Sequence, residues 1–238
     1  MTNSKKVILI TGTSRGLGKS LAQHYLSLGH FVFGCSRGES TIQSENYTHE
    51  TLDLANEEAV RSWVSAARRK NKQIDVLICN AGLVQSTLFL SVTSGELLQK
   101  FLNSNILGAF FPIREASKYM ALQKQGRIIV ISSTMVPLHE KGTSIYSSTK
   151  SFLTQMTKVL ANELAQSNVT CNIIAPGLMQ TSSSEELAKN QEWQERMLGL
   201  QTIPRIIQDK EICHVADFYL SDLASAITGQ VVYLGLVD

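Results

Sequence analysis

The sequence predicts an α/β fold, with one doubly wound domain and a parallel sheet of about seven strands covered by helices on both faces. Short β-branched runs alternate with helix-length amphipathic stretches, which is the pattern of successive βαβ units with right-handed crossovers. No internal repeat, low-complexity tract or linker interrupts the 238 residues. The whole chain, residues 1–238, is therefore predicted to form a single domain.

The first half of the chain contains four predicted strands, Lys6–Thr11, Phe31–Cys35, Thr48–Leu54 and Ile74–Cys79. Two helices lie between them. The first spans Gly16–Leu28 and ends at Gly29, and the second spans Asn56–Lys70 with Asn56 as its N-cap.

The second half continues the alternation with three further strands. The predicted strands are Gly126–Ser132, Val169–Ile174 and Gln230–Leu234, and the predicted helices are Ser94–Gln123, Tyr146–Ala165 and Asp209–Leu220. Ser182–Gln201 is polar and helix-like.

Composition excludes several classes of function. The 22 basic and 20 acidic residues leave a net charge of +2 without a strong basic run, so nucleic-acid and membrane partners are not expected. The N-terminus lacks the pattern of a signal peptide, and no segment has the length and apolarity of a membrane span, which predicts a cytoplasmic protein. The four cysteines are widely spaced and the histidines are not clustered, so no metal site is expected.

A glycine-rich turn, Thr11-Gly12-Thr13-Ser14-Arg15-Gly16-Leu17-Gly18, follows the first predicted strand and leads into a helix. Glycines let the backbone approach phosphates, and a helix N-terminus supplies amide donors and the positive end of its dipole. Such a turn alone is also found as a plain tight connection. Its position between the first strand and a helix predicts a site for a dinucleotide pyrophosphate.

The TGxxxGxG spacing of this turn resembles the fingerprint of the short-chain dehydrogenase/reductase family, and the resemblance continues along nearly the whole chain. Asp53 matches an acid beside the adenine, Asn80-Ala81-Gly82 matches the NAG motif after the fourth strand, and Asn172 with Pro176-Gly177 and Thr181 matches the segment that contacts the nicotinamide carboxamide. The resemblance implies a Rossmann-type fold and a nicotinamide cofactor held by Gly12, Ser14, Arg15, Gly16, Leu17, Gly18, Ser36, Arg37, Asp53, Leu54, Asn80, Ala81, Gly82, Tyr146, Lys150, Pro176, Gly177, Met179 and Thr181.

Charge predicts which cofactor is used. An NAD enzyme needs an acid after the second strand to bind the adenosine ribose, and that acid would repel the 2′-phosphate of NADP. Ser36 and Arg37 stand there instead. Because Arg15 and Arg37 can converge on the 2′-phosphate with charge-assisted contacts, we expect NADP(H).

Tyr146 and Lys150 form a YxxxK pair, and positions i and i+4 of a helix share one face. The unperturbed pKa of tyrosine is about 10, too high for easy proton exchange near neutrality. A lysine cation and the positive ring of an oxidised nicotinamide both favour the phenolate, so we expect a lowered pKa for Tyr146. Isolated YxxxK pairs are common on helix surfaces, so the pair alone does not predict a catalytic site.

The family resemblance adds two members to this catalytic set. Ser133 lies 13 residues before Tyr146, where the family places its catalytic serine, and is preferred to Ser132. Asn105 matches an asparagine that holds a water between the lysine and bulk solvent. The implied reaction is hydride transfer to a carbonyl carbon, with Tyr146 delivering the proton and Ser133 holding the oxygen.

The sequence leaves the class of carbonyl substrate open. Within the family the chain most resembles bacterial 3-oxoacyl-acyl-carrier-protein reductases, which bind an acidic carrier through basic residues. Lys124 falls at one such place, whereas Ser167 falls where another positive charge is expected. A free small ketone or a specialised biosynthetic intermediate is the alternative. A non-catalytic NADP(H) sensor is a remote alternative, since it predicts loss of the tyrosine, lysine or serine.

Two further expectations concern assembly and closure. Relatives pair the helices that match Ser94–Gln123 and Tyr146–Ala165 across a subunit interface, so we expect a homotetramer. The apolar residues expected at the interface include Phe101, Phe110, Phe111, Phe152 and Leu160. Ser182–Gln201 is expected to be a substrate lid, with a permanently docked helix as the alternative. Val136 replaces a glycine common in relatives, which predicts a different loop under the substrate.

Overall fold

Seven parallel strands form the central layer of the molecule. The computed structural model describes residues 5–84, 88–179 and 191–237. Its strands are β1 (Val7–Thr11), β2 (Phe31–Ser36), β3 (Tyr47–Thr51), β4 (Val76–Cys79), β5 (Gly126–Ile131), β6 (Val169–Pro176) and β7 (Val231–Leu234). They are arranged in the order β3-β2-β1-β4-β5-β6-β7, and every neighbouring pair is parallel. The predicted fold class is confirmed.

Helices cover both faces of the sheet. In the described ranges they are α1 (Gly16–Ser27), α2 (Glu57–Asn71), α3 (Gly95–Phe101), α4 (Gly108–Gln123), α5 (Met135–Leu138), α6 (Ser144–Leu164), α7 (Gln191–Gly199) and α8 (Asp209–Leu220). Short 3-10 turns span Leu90–Val92, Ala165–Ser167 and Asp222–Ala224, and a π-helical turn spans Leu102–Leu107. None of the helices described is both long and apolar enough to cross a membrane.

The core consists of two apolar clusters, one on each face of the sheet. In β1 the side chains of Val7 and Leu9 enter the cluster formed with α2, α4 and α6, and those of Ile8 and Ile10 enter the cluster formed with α1 and α8. Successive side chains of a strand point to opposite faces. A strand buried on both faces therefore needs an unbroken apolar run.

The third strand ends earlier than predicted. It spans Tyr47–Thr51 rather than Thr48–Leu54. Leu52 and Leu54 are buried beyond the end of β3, while the Asp53 carboxylate accepts from the amide of Ala55 at 2.9 Å. The chain turns here, so Leu52-Asp53-Leu54 belongs to the loop at the carboxyl edge of the sheet.

The longest predicted helix is not continuous. The predicted Ser94–Gln123 helix is divided into α3, the π-helical turn and α4, because the wide turn carries Asn105 into a set of buried hydrogen bonds. In addition, α6 begins two residues before Tyr146, and the Val136-Pro137 segment forms the short helix α5. The loop expected under the substrate is therefore helical.

Candidate active site

A cleft of about 960 Å³ runs along the edge of the sheet where the strands end. This is the edge at which open α/β sheets bind ligands. Most of the predicted site residues line it: Gly12, Ser14, Arg15, Gly16, Leu17, Ser36, Arg37, Asp53, Leu54, Asn80, Ala81, Gly82, Ser133, Tyr146, Lys150, Pro176, Gly177 and Met179. Gly18 and Asn105 are not among its lining residues, and Thr181 is outside the described residues.

The glycine turn forms a close-fitting cradle between β1 and α1. Gly12 and Gly16 have φ angles of 81° and 54°, which glycine adopts without a steric penalty. A Cβ on Gly18 would lie 2.2 Å from the carbonyl oxygen of Gly12. The side chain of Arg15, the residue before α1, makes no capping hydrogen bond to the helix. The start of α1 is therefore suited to an anion.

Asn80 braces this cradle from the neighbouring strand β4. Its amide nitrogen donates to the carbonyl oxygen of Thr11 at 3.0 Å, and the Thr11 hydroxyl accepts from the backbone amides of Asn80 and Ala81, both at 3.0 Å. The Asn80-Ala81-Gly82 segment thus fixes the end of β1 and continues the wall of the cleft.

One end of the cleft carries two exposed guanidinium groups. Arg15 lies in the glycine turn and Arg37 directly follows β2, and both line the cleft. Glu39 lines it as well, and its carboxylate accepts from the Thr51 hydroxyl at 3.1 Å. Asp53, also exposed, completes this end. Sequence reasoning did not single out Glu39.

Ser133, Tyr146 and Lys150 meet near the ends of β5 and β6. The Ser133 hydroxyl lines the cleft beside Tyr146 and accepts from the amide of Met135 at 3.1 Å. The Lys150 Nζ is 5.9 Å from the centre of the Tyr146 ring and donates to the carbonyl oxygen of Ile131 at 2.9 Å. One turn of α6 thus presents the phenol and the ammonium on one face, as predicted from their spacing.

The pKa of Tyr146 differs from the sequence-based expectation. Burial raises this pKa above its ordinary value, and the contact with Ser133 opposes the rise. In the chain alone burial disfavours the phenolate, and the lowering expected with an oxidised nicotinamide bound stays a prediction. Burial acts on Lys150 as well, and lowers its pKa to about 8.

Ser132 differs from Ser133 in its contacts. Its hydroxyl lies 2.9 Å from the Thr154 hydroxyl and donates to the carbonyl oxygen of Lys150 at 3.4 Å. These bonds fasten β5 to α6. Of the two serines, Ser133 is the one that influences the pKa of Tyr146, because its contact opposes the rise that burial causes.

Asn105 supports the site from behind. Its side-chain oxygen accepts from the amide of Leu83 at 2.6 Å, and its side-chain nitrogen donates to the carbonyl oxygen of Leu83 at 3.2 Å and to the Thr149 hydroxyl at 3.0 Å. A Cβ on Gly82 would lie 3.4 Å from both this amide oxygen and the Lys150 Nζ. Asn105 therefore joins the loop after β4 to α6 beside Lys150.

A turn after β6 forms the floor of the cleft, and Gln201 holds it. The Gln201 side-chain oxygen accepts from the amide of Leu178 at 2.5 Å, and its nitrogen donates to the carbonyl oxygens of Ile203 and Arg205 at 3.0 and 2.8 Å. A Cβ on Gly177 would lie 2.4 Å from the same Gln201 oxygen. The Pro176-Gly177 turn is thereby tied to the segment after α7.

Asn172 lies away from the cleft. Its side chain donates to the carbonyl oxygen of Ile227 at 2.8 Å and accepts from the amide of Gln230 at 3.0 Å. It is almost fully buried and fastens β6 to the loop before β7. Asn172 belongs to the segment predicted to contact the nicotinamide, but its own side chain has a structural role.

The other end of the cleft has several apolar residues in its lining, Leu97, Phe101, Met135, Ile145, Trp193 and Met197. The polar residues Lys100, Asn103, Ser104 and Thr143 also line the cleft. Phe101 packs edge-on against Tyr146 with ring centres 6.4 Å apart. Helix α7 closes this end, and its Arg196 pairs with Glu140 in the segment before α6. Of the predicted lid, 182–190 is outside the described residues.

Lys124 does not lie at the mouth of the cleft within this chain. It follows α4 with a φ angle of 57° and precedes β5. The strands begin at that edge of the sheet, whereas the cleft lies where they end. The sequence-based placement of Lys124 near the active-site mouth is therefore not found in the single chain.

The model of the short chain dehydrogenase family matches residues 6–192 of the chain. The chain belongs to this family. Among curated relatives of this dehydrogenase, the 3-oxoacyl-[acyl-carrier-protein] reductase of Rickettsia conorii is 34% identical over 238 residues, covering 96% of this chain and 95% of the relative.

Solved structures similar to this dehydrogenase carry different cofactors. A structure described as ElxO with NADP bound has a TM-score of 0.89 and 27% identity, covering 97% of each chain. A 3-ketoacyl-(acyl-carrier-protein) reductase from Brucella melitensis complexed with NADH has a TM-score of 0.88 at 22% identity, covering 98% of each chain. The second likeness shows the fold alone, so the choice of cofactor depends on the residues of the cleft.

Sequence reasoning missed several residues in and around the cleft of this dehydrogenase, among them Glu39, His49 and Gln201. One signal for the two hydroxyl groups that contact His49 was present. Gly34 interrupts an apolar strand, and a glycine in the middle of a strand often marks a close approach by other groups. Here a Cβ on Gly34 would lie 2.3 Å from the Thr13 hydroxyl and 2.5 Å from that of Tyr47. Gln201 carried no comparable signal, because its partners are backbone groups brought together by the fold.

Proposed function

We propose that the protein is an NADPH-dependent reductase that converts a ketone to a secondary alcohol, with a 3-oxoacyl thioester on a carrier protein as its substrate. The observation that supports this most directly is the cluster of Ser133, Tyr146 and Lys150 in a cleft whose far end carries Arg15 and Arg37. A cleft that joins these two groups accommodates a dinucleotide with its reactive end at the tyrosine.

The residues of the cleft fit such a cofactor. Gly12 and Gly18 leave no room for a Cβ because Asn80, Ala81 and the Gly12 carbonyl pack against them. The turn therefore stays tight, and Gly12 and Gly16, which line the cleft, can offer their backbone to a pyrophosphate. Arg15 and Arg37 supply two positive charges for a 2′-phosphate, at an end of the cleft that Glu39 and Asp53 also line. In the part of the chain that is described, no group of three or more His, Cys, Asp or Glu side chains could hold a metal ion. When bound, NADPH supplies the hydride for the reduction.

The catalytic side chains have separate tasks in this proposal. The Ser133 hydroxyl donates to the substrate carbonyl oxygen and orients it. The Tyr146 hydroxyl gives that oxygen its proton as the carbonyl carbon is reduced, which leaves a phenolate. The Lys150 ammonium stabilises this phenolate and holds the nicotinamide ribose. Burial of Tyr146 keeps its proton in place until the reaction.

Two observations support a carrier-bound acyl substrate. The apolar lining near Tyr146 suits an acyl chain, and the relative from Rickettsia conorii is named as an acyl-carrier-protein reductase. A free ketone is the second candidate. It is favoured by Lys124, which lies at the opposite edge of the sheet, and by the uncharged Ser167.

The test is a steady-state assay of NADPH oxidation with 3-oxoacyl thioesters of acyl carrier protein, the same acyl groups on coenzyme A, and small free ketones. We expect the highest kcat/KM with the carrier-bound thioester and negligible turnover for Tyr146→Phe with every substrate. Higher kcat/KM with free ketones contradicts the proposed substrate. NADPH binding without turnover of any carbonyl contradicts the reductase and favours the sensor.

Cofactor choice has its own test, the dissociation constants of NADPH and NADH measured by calorimetry. We expect tighter binding of NADPH. Because a hydrogen bond to a charged group is worth about 1.5–3 kcal/mol, Arg37→Ala should weaken NADPH binding roughly tenfold or more. NADH binding should stay unchanged. The matched control is Arg61→Ala, an exposed arginine on α2 outside the cleft. Equal affinities for both cofactors, unaffected by Arg37→Ala, contradict the assignment.

A further inference from the structure

His49 connects the two segments that carry Arg15 and Arg37. It lies on β3 in register with Gly34 of β2 and is half-buried. His49 is not among the residues that line the cleft. Any effect it has on a ligand therefore passes through its neighbours.

The two nitrogens of its ring contact different segments. Nε2 lies 3.0 Å from the carbonyl oxygen of Gly38 and 3.2 Å from the Ser36 hydroxyl. Nδ1 lies 3.0 Å from the Tyr47 hydroxyl and 3.3 Å from that of Thr13, in the glycine turn. The imidazole thus spans the gap between the segment after β2 and the glycine turn.

The chemistry of these partners assigns the ring protons of the neutral imidazole. A carbonyl oxygen only accepts, so Nε2 donates to Gly38 and Nδ1 accepts from a hydroxyl. The same Gly38 oxygen accepts from the Ser36 hydroxyl at 2.8 Å, and Tyr47 donates to Thr13 at 2.9 Å. Two donors therefore fix the Gly38 carbonyl.

The hydrogen bonds to the Gly38 carbonyl matter because the segment around it is exposed to solvent. Arg37, Gly38 and Glu39 are all exposed, and glycine has more backbone freedom than any other residue. Without a fixed carbonyl at Gly38, the preceding Arg37 would lose its defined position relative to Arg15. The glycine turn is already held, since the amides of Gly12 and Thr13 donate to the carbonyl oxygen of Cys35 at 2.7 and 3.2 Å.

We infer that His49 is a positioning residue for recognition of the cofactor 2′-phosphate, because it holds the Arg37-Gly38 segment in register with the glycine turn so that both guanidinium groups reach one phosphate. The inference rests on the proposed preference for NADPH. It assigns His49 no contact with the cofactor and no part in the chemical step.

The test compares NADPH and NADH in dissociation constant, KM and kcat for His49→Ala, His49→Gln and the wild type. A loss of positioning should weaken NADPH binding about fivefold or more, an effect on the order of one ordinary hydrogen bond. NADH binding and kcat at saturating NADPH should stay within about twofold, as the 2′-phosphate is the group concerned. His49→Gln, whose side-chain amide can still donate to Gly38, should recover part of the loss.

Two further variants complete the design. His30→Ala is the matched control, since the ring of His30 accepts from the amide of Lys6 at 3.2 Å at the opposite edge of the sheet. It should leave the NADPH to NADH ratio unchanged. Tyr47→Phe removes one hydroxyl of the network and should shift the ratio in the same direction as His49→Ala but less. This milder change keeps the test open if His49→Ala does not fold.

The outcomes separate the two proposals. If the wild type binds both cofactors equally, the proposed NADPH preference fails. If the wild type prefers NADPH and His49→Ala retains that ratio, the inference about His49 fails alone. Equal weakening of both cofactors also overturns it, since that result indicates a structural role without selection.

Discussion

Lys150 is a charged residue in an environment that disfavours charge. Its side chain is only 4% exposed, and its ammonium donates to a backbone carbonyl, that of Ile131, rather than to a carboxylate. Burial lowers the pKa of Lys150 to about 8. The fold therefore gives up stability to hold this cation where the proposed reaction needs it.

We predict that Lys150→Met abolishes turnover but makes the folded chain more stable at pH 7. A lysine with a lower pKa in the folded than in the unfolded state binds fewer protons when folded, so its charge destabilises the fold below about pH 8. The penalty is at most about 3 kcal/mol and is relieved as the pH rises from about 8 to 10.5. Urea unfolding at pH 7 and pH 10 measures it.

The control for this comparison is Lys158→Met, an exposed lysine on the same helix. Its stability should follow that of the wild type at both pH values. The gain from Lys150→Met should be smaller at pH 10 than at pH 7. A Lys150→Met protein that is less stable than the wild type at pH 7 contradicts the prediction, and indicates that the bond to Ile131 outweighs the cost of burial.

The two neighbouring serines provide a second prediction. Tyr146→Phe and Ser133→Ala should each lower kcat by at least about a hundredfold, the lower range for loss of general acid catalysis, while NADPH affinity is retained. Ser132→Ala should change kcat far less, because the Ser132 hydroxyl makes hydrogen bonds with the Thr154 hydroxyl and with the backbone of α6. It should lower the stability of the fold by about 1 kcal/mol instead. A larger loss of kcat for Ser132→Ala than for Ser133→Ala assigns the roles the other way.

At this scale the sequence predicts which side chains meet but not how they titrate. The i, i+4 spacing of Tyr146 and Lys150 is local, so their common face follows from helix geometry alone. The raised pKa of Tyr146 follows from packing against distant residues such as Phe101. Burial of this kind comes from tertiary structure, which spacing along the chain does not record.

Among the elements, the π-helical turn is the largest departure from the predicted pattern. The apolar periodicity of 94–123 fits one long helix, and a π turn inserts into such a helix without changing its composition. The reason for the turn lies in Leu83 and Thr149, the partners of Asn105. Since both are remote in sequence, only the assembled fold shows why the helix must widen there.

Helix α7 lies over the substrate end of the cleft, which Trp193 and Met197 line. It is held at the cleft by Met197, which is buried, and by the pair Arg196 and Glu140. The Arg196 side chain is 57% exposed, and ion pairs of this kind contribute little to stability. Gln201 anchors the segment just beyond the helix.

We predict that α7 is part of a lid. Its amides should exchange with deuterium quickly in the free protein and more slowly when NADPH and a ketone are bound, because closure packs Trp193 and Met197 over the substrate. Hydrogen exchange followed by mass spectrometry measures this, with β1 and β4 as protected references in both states. Strong protection of α7 regardless of ligand indicates a fixed wall. In that case Trp193→Ala should reduce stability more than substrate affinity.

At the scale of the whole molecule, the fold class follows from the sequence because its signal is repeated. Each buried strand needs an apolar run and each crossover needs a helix, so an error of a few residues at β3 does not change the topology. The placement of Lys124 is a different case, since it depends on which edge of the sheet a connection occupies. Its part in binding a carrier requires an arrangement that a single chain does not contain.

The last prediction is that the protein is a homotetramer. Phe110 on α4 and Phe152 on α6 are 36% and 44% exposed, and Leu223 beyond α8 is 86% exposed. Phe101 is withdrawn from the set expected at an interface because it is buried against Tyr146. Apolar side chains exposed on two neighbouring helices are commonly covered by a second copy of the chain.

Light scattering at micromolar concentration should give four times the chain mass of 26.2 kDa, about 105 kDa. Phe152→Glu should reduce this mass, because a charge on α6 cannot be buried unpaired against the partner. Leu28→Glu, at the end of α1 and 49% exposed, is the matched control and should leave the mass unchanged. A monomer mass for the wild type contradicts the prediction, and leaves Phe110 and Phe152 exposed to water. A wild-type dimer that Phe152→Glu dissociates would support the interface of α4 and α6 but contradict the tetramer.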